Sequence, residues 1–93
     1  MKTLTIIGGV DGVVKTSMRG ILSAKRRDIG IIIDADFIDE KTAVQYINTT
    51  IEKGRDFTLE TTLSDSYILE TIKTAHDNNY YIRLYYISVS TTE

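Results

Sequence analysis

The chain has 93 residues, of which 42% are hydrophobic and 26% are charged, a composition typical of one globular domain. Its formal net charge of −2 argues against binding to nucleic acids or membrane surfaces through bulk electrostatics. The absence of cysteine excludes disulfide bonds and thiolate metal sites. A chain of this length is expected to form a single domain, residues 1–93. Because the sequence shows neither a secretory signal nor a transmembrane run, we expect it in the cytoplasm.

Segments with strand and helix character alternate along the chain. Four apolar runs read as strands, and the three segments between them have helical spacing of apolar residues. This alternation predicts an α/β fold, with a parallel sheet, flanking helices and right-handed crossovers. In chain order we predict a strand at Thr3–Ile7, a helix from Lys15 to about Lys25, a strand at Ile29–Asp34, a helix from Asp39 to Lys53, a strand at Phe57–Glu60, a helix from Ser64 or Asp65 to Asn78-Asn79, and a strand at Tyr80–Val89.

The second predicted helix has clear boundaries. Asp39 can cap its N-terminus with a side-chain oxygen, and Gly54 can end it in the left-handed conformation. Val44, Ile47 and Ile51 share one face of this helix, which we expect to pack on the sheet.

The segment from Gly9 to Ser17 is close to the phosphate-binding loop G-x-x-x-x-G-K-[ST] and lies between a predicted strand and a predicted helix, as that loop requires. In such loops the backbone N–H groups surround the β-phosphate, the lysine reaches the β- and γ-phosphates, and the next hydroxyl binds Mg²⁺. We therefore expect ATP to bind through Gly9, Val10, Asp11, Gly12, Val13, Val14, Lys15, Thr16 and Ser17, with Thr16 as the magnesium ligand.

Val14 stands where the loop has its second glycine. Glycine lets the backbone approach the phosphate closely, whereas a branched side chain adds bulk there. If the position required a positive φ, valine would cost at least about 1–2 kcal/mol, and about 1.4 kcal/mol is a tenfold change in affinity. Intact and weakened nucleotide binding therefore both remain open.

Polar residues follow all four predicted strands, at the edge of the sheet where parallel α/β proteins bind ligands. They are the glycine-rich loop after the first strand, Asp36 after the second, Glu60 to Thr62 after the third, and Ser88 to Ser90 after the fourth. Asp36 could accept the proton of an attacking substrate hydroxyl, or close its strand and cap the next helix. Glu60 could bind a substrate hydroxyl or a metal-bound water, or cap the helix that follows.

Together these motifs are similar to those of the zeta toxin family of small-molecule kinases. The resemblance is carried by the loop Gly9–Ser17 with Met18-Arg19, by Ile31–Asp36, by Leu59–Leu63 and by Tyr80–Tyr85. It implies a three-layer P-loop kinase core with a parallel four-stranded sheet in the order 2-3-1-4. It also implies transfer of the ATP γ-phosphate, with Mg²⁺, to a substrate hydroxyl, which characterised toxins of the family find on UDP-N-acetylglucosamine.

By the same resemblance Lys15 is the catalytic phosphate lysine, Thr16 the magnesium hydroxyl and Asp36 the catalytic base, while Glu60 and Thr62 contact substrate. An antitoxin protein is an implied partner. The chain departs from the family pattern at Val14 and in a short stretch after Asp36. We also expect it to lack the fifth strand and the lid helix, whose arginines stabilise the transferring phosphoryl group.

Two other functions remain open. A P-loop remnant could act only as a folded association module, without catalysis. A different P-loop phosphotransferase, such as a nucleoside or antibiotic kinase, is also compatible, because the loop alone does not determine the phosphate acceptor. Whatever the function, the last strand, Tyr80–Val89, would lie at a sheet edge with Arg83 as its one charge. We therefore expect a homo-oligomer formed through that strand; the alternative is a monomer in which Ser90–Glu93 shield the edge.

Overall fold

The computed structural model describes residues 2–9, 12–35, 37–62 and 67–87, and for residues 12–14 and 87 it describes the backbone alone. Strands and helices alternate along these residues, as the sequence predicts. None of the described helices is long and apolar enough to cross a membrane. The elements are β1 (Thr3–Gly9), α1 (Gly12–Lys25), β2 (Ile31–Asp34), α2 (Glu40–Glu52), β3 (Phe57–Thr61), α3 (Tyr67–Asp77) and β4 (Tyr81–Ile87).

The four strands form one sheet in the order β2-β3-β1-β4, and each pair of neighbours is parallel. The predicted α/β class and strand order are thus confirmed. The connection from β1 to β2 crosses the sheet in one direction, whereas the two later connections cross in the other. Because right-handed crossovers in opposite directions use opposite faces, α1 covers one face and α2 and α3 cover the other.

Two apolar clusters match these two faces. The smaller one joins Ile7 of β1 to Leu22 of α1 and to Ile29, with Met18 and Tyr85 packed against it. The larger one fills the space between the sheet and helices α2 and α3. Its buried members are Leu4, Ile6, Ile33, Ala35, Ala43, Ile47, Ile51, Phe57, Leu59, Tyr67, Ile68, Ala75 and Tyr80.

Helix α2 has the boundaries that its sequence predicts. The side chain of Asp39 accepts a hydrogen bond from the backbone N–H of Thr42 at 3.3 Å and another from its hydroxyl at 2.6 Å. Gly54 follows the helix with a φ of +67°. Ile47 and Ile51 are buried as expected, and Val44 is partly buried against the larger cluster. Local capping is therefore enough to define this helix.

The glycine-rich segment differs from its predicted form. β1 continues through Gly8 and Gly9, because both pair with β4. α1 begins at Gly12, three positions before the predicted start at Lys15. Only residues 10 and 11, which lie outside the described part of the chain, separate the strand from the helix. Most of the predicted loop therefore has regular secondary structure.

β2 begins at Ile31, two positions after its predicted start. Gly30 has a φ of +63°, and a Cβ atom there would lie 2.0 Å from the carbonyl oxygen of Asp56. This turn takes Ile29 out of the strand, although its carbonyl still accepts a 2.8 Å hydrogen bond from the hydroxyl of Thr58. The predicted start of the third helix and the predicted end of the last strand, at residues 64–65 and 88–89, lie outside the described residues.

Candidate functional site

The candidate site lies at the carboxyl end of β3, on the face of the sheet that α1 covers. Glu60 pairs in register with Ile7 of β1, and Ile7 packs under α1. Because register partners in neighbouring strands point to the same face, the Glu60 side chain also points toward α1. Glu60 is 1% exposed and Lys15, in the first turn of α1, is 2% exposed. The end of β3 therefore buries a carboxylate beside a buried lysine.

Arg19 supplies a second cation to this carboxylate. Lys15 and Arg19 are four positions apart on α1 and so lie on one face of the helix. The Nη1 atom of Arg19 donates a 2.7 Å hydrogen bond to Oε2 of Glu60. The Arg19 side chain is 30% exposed and that of Glu60 is 2% exposed, so the ion pair reaches from solvent into the interior.

Asp34 adds a second carboxylate. It ends β2 and is the register partner of Glu60 in the parallel β2–β3 pair, so the two side chains share a face of the sheet. The sequence prediction passed over Asp34 and gave Arg19 no role. The signals that could have identified them are the four-residue spacing of Lys15 and Arg19 and the strand alternation that ends at Asp34.

The charges of this cluster act on Glu60 in opposing directions. Burial of the carboxyl group raises the pKa of Glu60 above its ordinary value, and the negative charge of Asp34 acts in the same direction. The cations Arg19 and Lys15 oppose that shift. The positive charge of Lys15 therefore lies close enough to Glu60 to lower the pKa of its carboxyl group. Two cations and two carboxylates balance one another at the point where α/β sheets bind ligands.

No protein-family model, no curated protein and no solved structure matches this chain. The similarity to zeta toxin kinases therefore depends on the sequence motifs alone.

Other residues predicted for the site are distributed around the cluster. Thr16 and Ser17 are exposed on α1 next to Lys15, Thr62 is half-buried just after β3, and Gly9 ends β1 in the buried centre of the sheet. Gly12, Val13 and Val14 belong to α1, so the backbone at residue 14 is helical and does not need a positive φ. Asp36, Val10 and Asp11 lie outside the described residues.

Arg83, the one charged residue of the last strand, binds elsewhere than this cluster. Its Nη2 and Nη1 atoms donate hydrogen bonds of 2.9 and 3.2 Å to the two carboxylate oxygens of Asp28. Nη1 also lies 3.4 Å from the hydroxyl oxygen of Thr5. The hydrogen bond from Arg83 lowers the pKa of Asp28. Arg83 therefore connects β4 to the segment after α1.

A cavity of about 890 Å³ lies at the opposite end of the sheet. Its lining includes Lys2, Gly30 and Asp56, which immediately precede β1, β2 and β3. Since ligands in parallel α/β sheets bind beyond the carboxyl ends of the strands, this amino-end cavity is a weaker candidate than the Glu60 cluster. Within the described ranges, no group of three or more histidine, cysteine or acidic side chains could hold a metal ion.

Proposed function

We propose that this chain binds ATP with Mg²⁺ beside Lys15 and transfers the γ-phosphate to a hydroxyl group of a small molecule, in the manner of zeta toxin kinases. The observation that carries the proposal is the buried position of Lys15 in the first turn of the helix that follows β1, within a parallel sheet of order β2-β3-β1-β4. A lysine is rarely buried unless its charge is paired. The Glu60 carboxylate lies beside Lys15 in this chain, and on nucleotide binding Lys15 would also neutralise the phosphates.

The residues present are compatible with ATP and Mg²⁺. Magnesium prefers oxygen ligands and, in nucleotide sites, takes most of them from phosphates and water, so one protein hydroxyl is a sufficient anchor. Thr16 is exposed next to Lys15 and would hold the ion. The bound ion would offset the negative charge of the β- and γ-phosphates. The backbone N–H groups of the first turn of α1, at Gly12 to Lys15, would face the phosphates.

Catalysis would then depend on a base and on charge stabilisation. Asp36 would accept the proton of the acceptor hydroxyl. Because Glu60 is almost wholly buried and held by Arg19, its role would be to position Arg19 next to the phosphates, while half-buried Thr62 contacts the acceptor. Arginines beside a transferring phosphoryl group can contribute about 10³–10⁵ in rate.

The test combines ATP–Mg²⁺ with a panel of hydroxyl acceptors and detects phosphorylated products by mass spectrometry. The panel holds UDP-amino sugars, nucleosides and aminoglycosides, so that the acceptor class distinguishes a zeta-type kinase from another phosphotransferase. Asp36→Asn should nearly abolish transfer and leave ATP affinity close to unchanged, because an amide cannot take the proton. Asp39→Asn is the control, since asparagine also caps a helix well.

A non-catalytic remnant is the second candidate, and the Glu60 cluster itself favours it. Both cations already have a carboxylate beside them, and only two residues separate β1 from α1. ATP binding without transfer to any acceptor would support this candidate, whereas failure of the wild-type chain to bind ATP would overturn the kinase proposal. A protein antitoxin that covers the carboxyl end of the sheet is a further proposed partner.

A further inference from the structure

β4 forms one edge of the sheet. Its inner side pairs with β1 along its whole length, from Tyr81 to Ile87. Among the described residues, no strand pairs with its outer side. The outward N–H and C=O groups of such an edge are a template for pairing with another strand.

The side chains of β4 leave apolar surface on both faces of this edge. Tyr81 is 52% exposed on the face that α1 covers, and Leu84 and Tyr86 are 57% and 61% exposed on the opposite face. Apolar surface that is contiguous and exposed marks interaction sites in folded proteins. The edge therefore has both the backbone groups and the side chains of an interface.

Charged side chains do not protect this strand. Arg83 is the only charged residue in β4, and Asp28 binds its guanidinium group through both carboxylate oxygens. Its side chain is only 16% exposed. Natural edge strands often carry outward charges that prevent pairing, and the one charge of β4 is directed to an internal partner instead.

We propose that a second copy of this chain occupies the edge, with the two β4 strands antiparallel around a two-fold axis that passes through Leu84. With a two-fold axis perpendicular to the sheet, each face of one copy continues as the same face of the other. Residues that lie opposite each other must therefore point to the same face. Because side chains alternate along a strand, this requires the axis to pass through a residue and not between two residues. Leu84 is the midpoint of Tyr81–Ile87, so this register pairs every residue of the strand.

The Leu84 register is also favourable in its side-chain contacts. It sets Leu84 against its own copy, Ile82 against Tyr86 and Arg83 against Tyr85. Aromatic–aliphatic neighbours stabilise cross-strand pairs. Moving the axis by one residue to Arg83 would place Tyr86 and Ile87 opposite Tyr80 and Asn79, which precede the strand, so fewer residues of β4 would pair. The strand is thus complementary to itself, and this favours a second copy over an unrelated partner.

Light scattering and sedimentation of the purified chain at high concentration test the proposal. We expect wild type to be a dimer and Leu84→Lys to be a monomer, since two lysines would meet at the axis. Tyr46→Lys is the matched control, because Tyr46 is also 57% exposed but lies on α2, and it should remain a dimer. A monomeric wild type, or a dimer that survives Leu84→Lys, would overturn the proposal.

Cross-linking tests the register separately. The chain has no cysteine, so Leu84→Cys carries one thiol, which would lie opposite its copy with Cβ atoms about 4.5–5.5 Å apart. Mild oxidation should convert this variant to a covalent dimer, whereas Tyr46→Cys should stay monomeric under the same conditions in denaturing gels. Equal yields from the two variants would contradict the register. A low yield from Leu84→Cys would also contradict it, because an extended peptide or residues 88–93 would then cover Leu84 in place of a second copy. None of these readouts depends on nucleotide binding.

Discussion

Arg19 donates a 2.7 Å hydrogen bond to Glu60, and this ion pair connects helix α1 to the carboxyl end of β3. It also fixes the geometry beside Lys15, which lies one helical turn before Arg19. Removal of the Arg19 guanidinium would leave a buried carboxylate without this partner, whereas removal of the Glu60 carboxylate would leave a cation that solvent can still reach.

We expect Arg19→Gln to lower the free energy of unfolding by about 1–3 kcal/mol, because it removes the cation that donates a hydrogen bond to the buried Glu60 carboxylate. Urea denaturation measures this loss. The double variant Arg19→Gln/Glu60→Gln should lose clearly less than the two single variants added together, since it leaves no uncompensated charge. Arg27→Gln, an exposed change after α1, is the control. Strict additivity would show that the contact contributes nothing.

The pKa of Glu60 predicts a pH dependence with a definite sign. Since burial raises this pKa above its ordinary value of 4.5, the folded chain holds the proton more tightly than the unfolded chain does. The contribution of protonated Glu60 to the free energy of unfolding is fully present below about pH 4.5. It is lost as the pH rises through the pKa of Glu60 in the folded chain. Glu60→Gln does not titrate, so its stability relative to wild type should increase over that interval.

Urea unfolding of both proteins at a series of pH values measures this difference. The pKa of Asp28 and that of Asp39 are lowered, by hydrogen bonds from Arg83 and Thr42 respectively, and act with the opposite sign. Both proteins retain these groups, so their contributions cancel in the comparison. A difference that stays constant or reverses with pH would contradict the assigned shift.

Two glycines should respond to alanine in opposite directions. Gly30→Ala should cost at least about 2 kcal/mol, because the residue has a left-handed backbone and its Cβ would collide with Asp56. Movement of Asp56 would also disturb the 2.7 Å hydrogen bond that its carboxylate accepts from the N–H of Thr3. Gly20→Ala, in an exposed part of α1 with no atom within 4 Å of the new Cβ, should stabilise the helix by about 0.5–1 kcal/mol. Thermal unfolding distinguishes the two, and similar effects would show that the Gly30 turn is not restrictive.

The sequence predicts most of the fold because local signals agree with the tertiary structure. Asp39 and Gly54 limit α2 by capping alone, and the apolar runs identify the strands. The errors occur where a distant segment decides the local structure. Gly8 and Gly9 read as a turn but are drawn into β1 by pairing with β4, and Gly30 is held in its turn beside Asp56.

The candidate site was only partly predictable for the same reason. Lys15 and Glu60 are recognisable from a motif and from a strand end. Their burial beside Arg19 and Asp34, however, depends on how α1 lies across β3 and β2. The periodicity of a helix sequence does not determine which strand its buried face packs against. The ion pair of Arg19 and Glu60 could therefore be found only in the folded chain.

Calorimetric titration of ATP–Mg²⁺ into wild type, Lys15→Met and Lys25→Met tests the central proposal most directly. Lys25 ends the same helix and is exposed, so its variant controls for the loss of a positive charge. Wild type and Lys25→Met should bind at one site with similar affinity. Lys15→Met should bind ATP at least about tenfold more weakly, since a hydrogen bond to a charged group contributes about 1.5–3 kcal/mol. Cooperative unfolding of Lys15→Met would show that this variant remains folded. Absence of binding to wild type, or equal affinity in a folded Lys15→Met, would contradict a nucleotide site at Lys15.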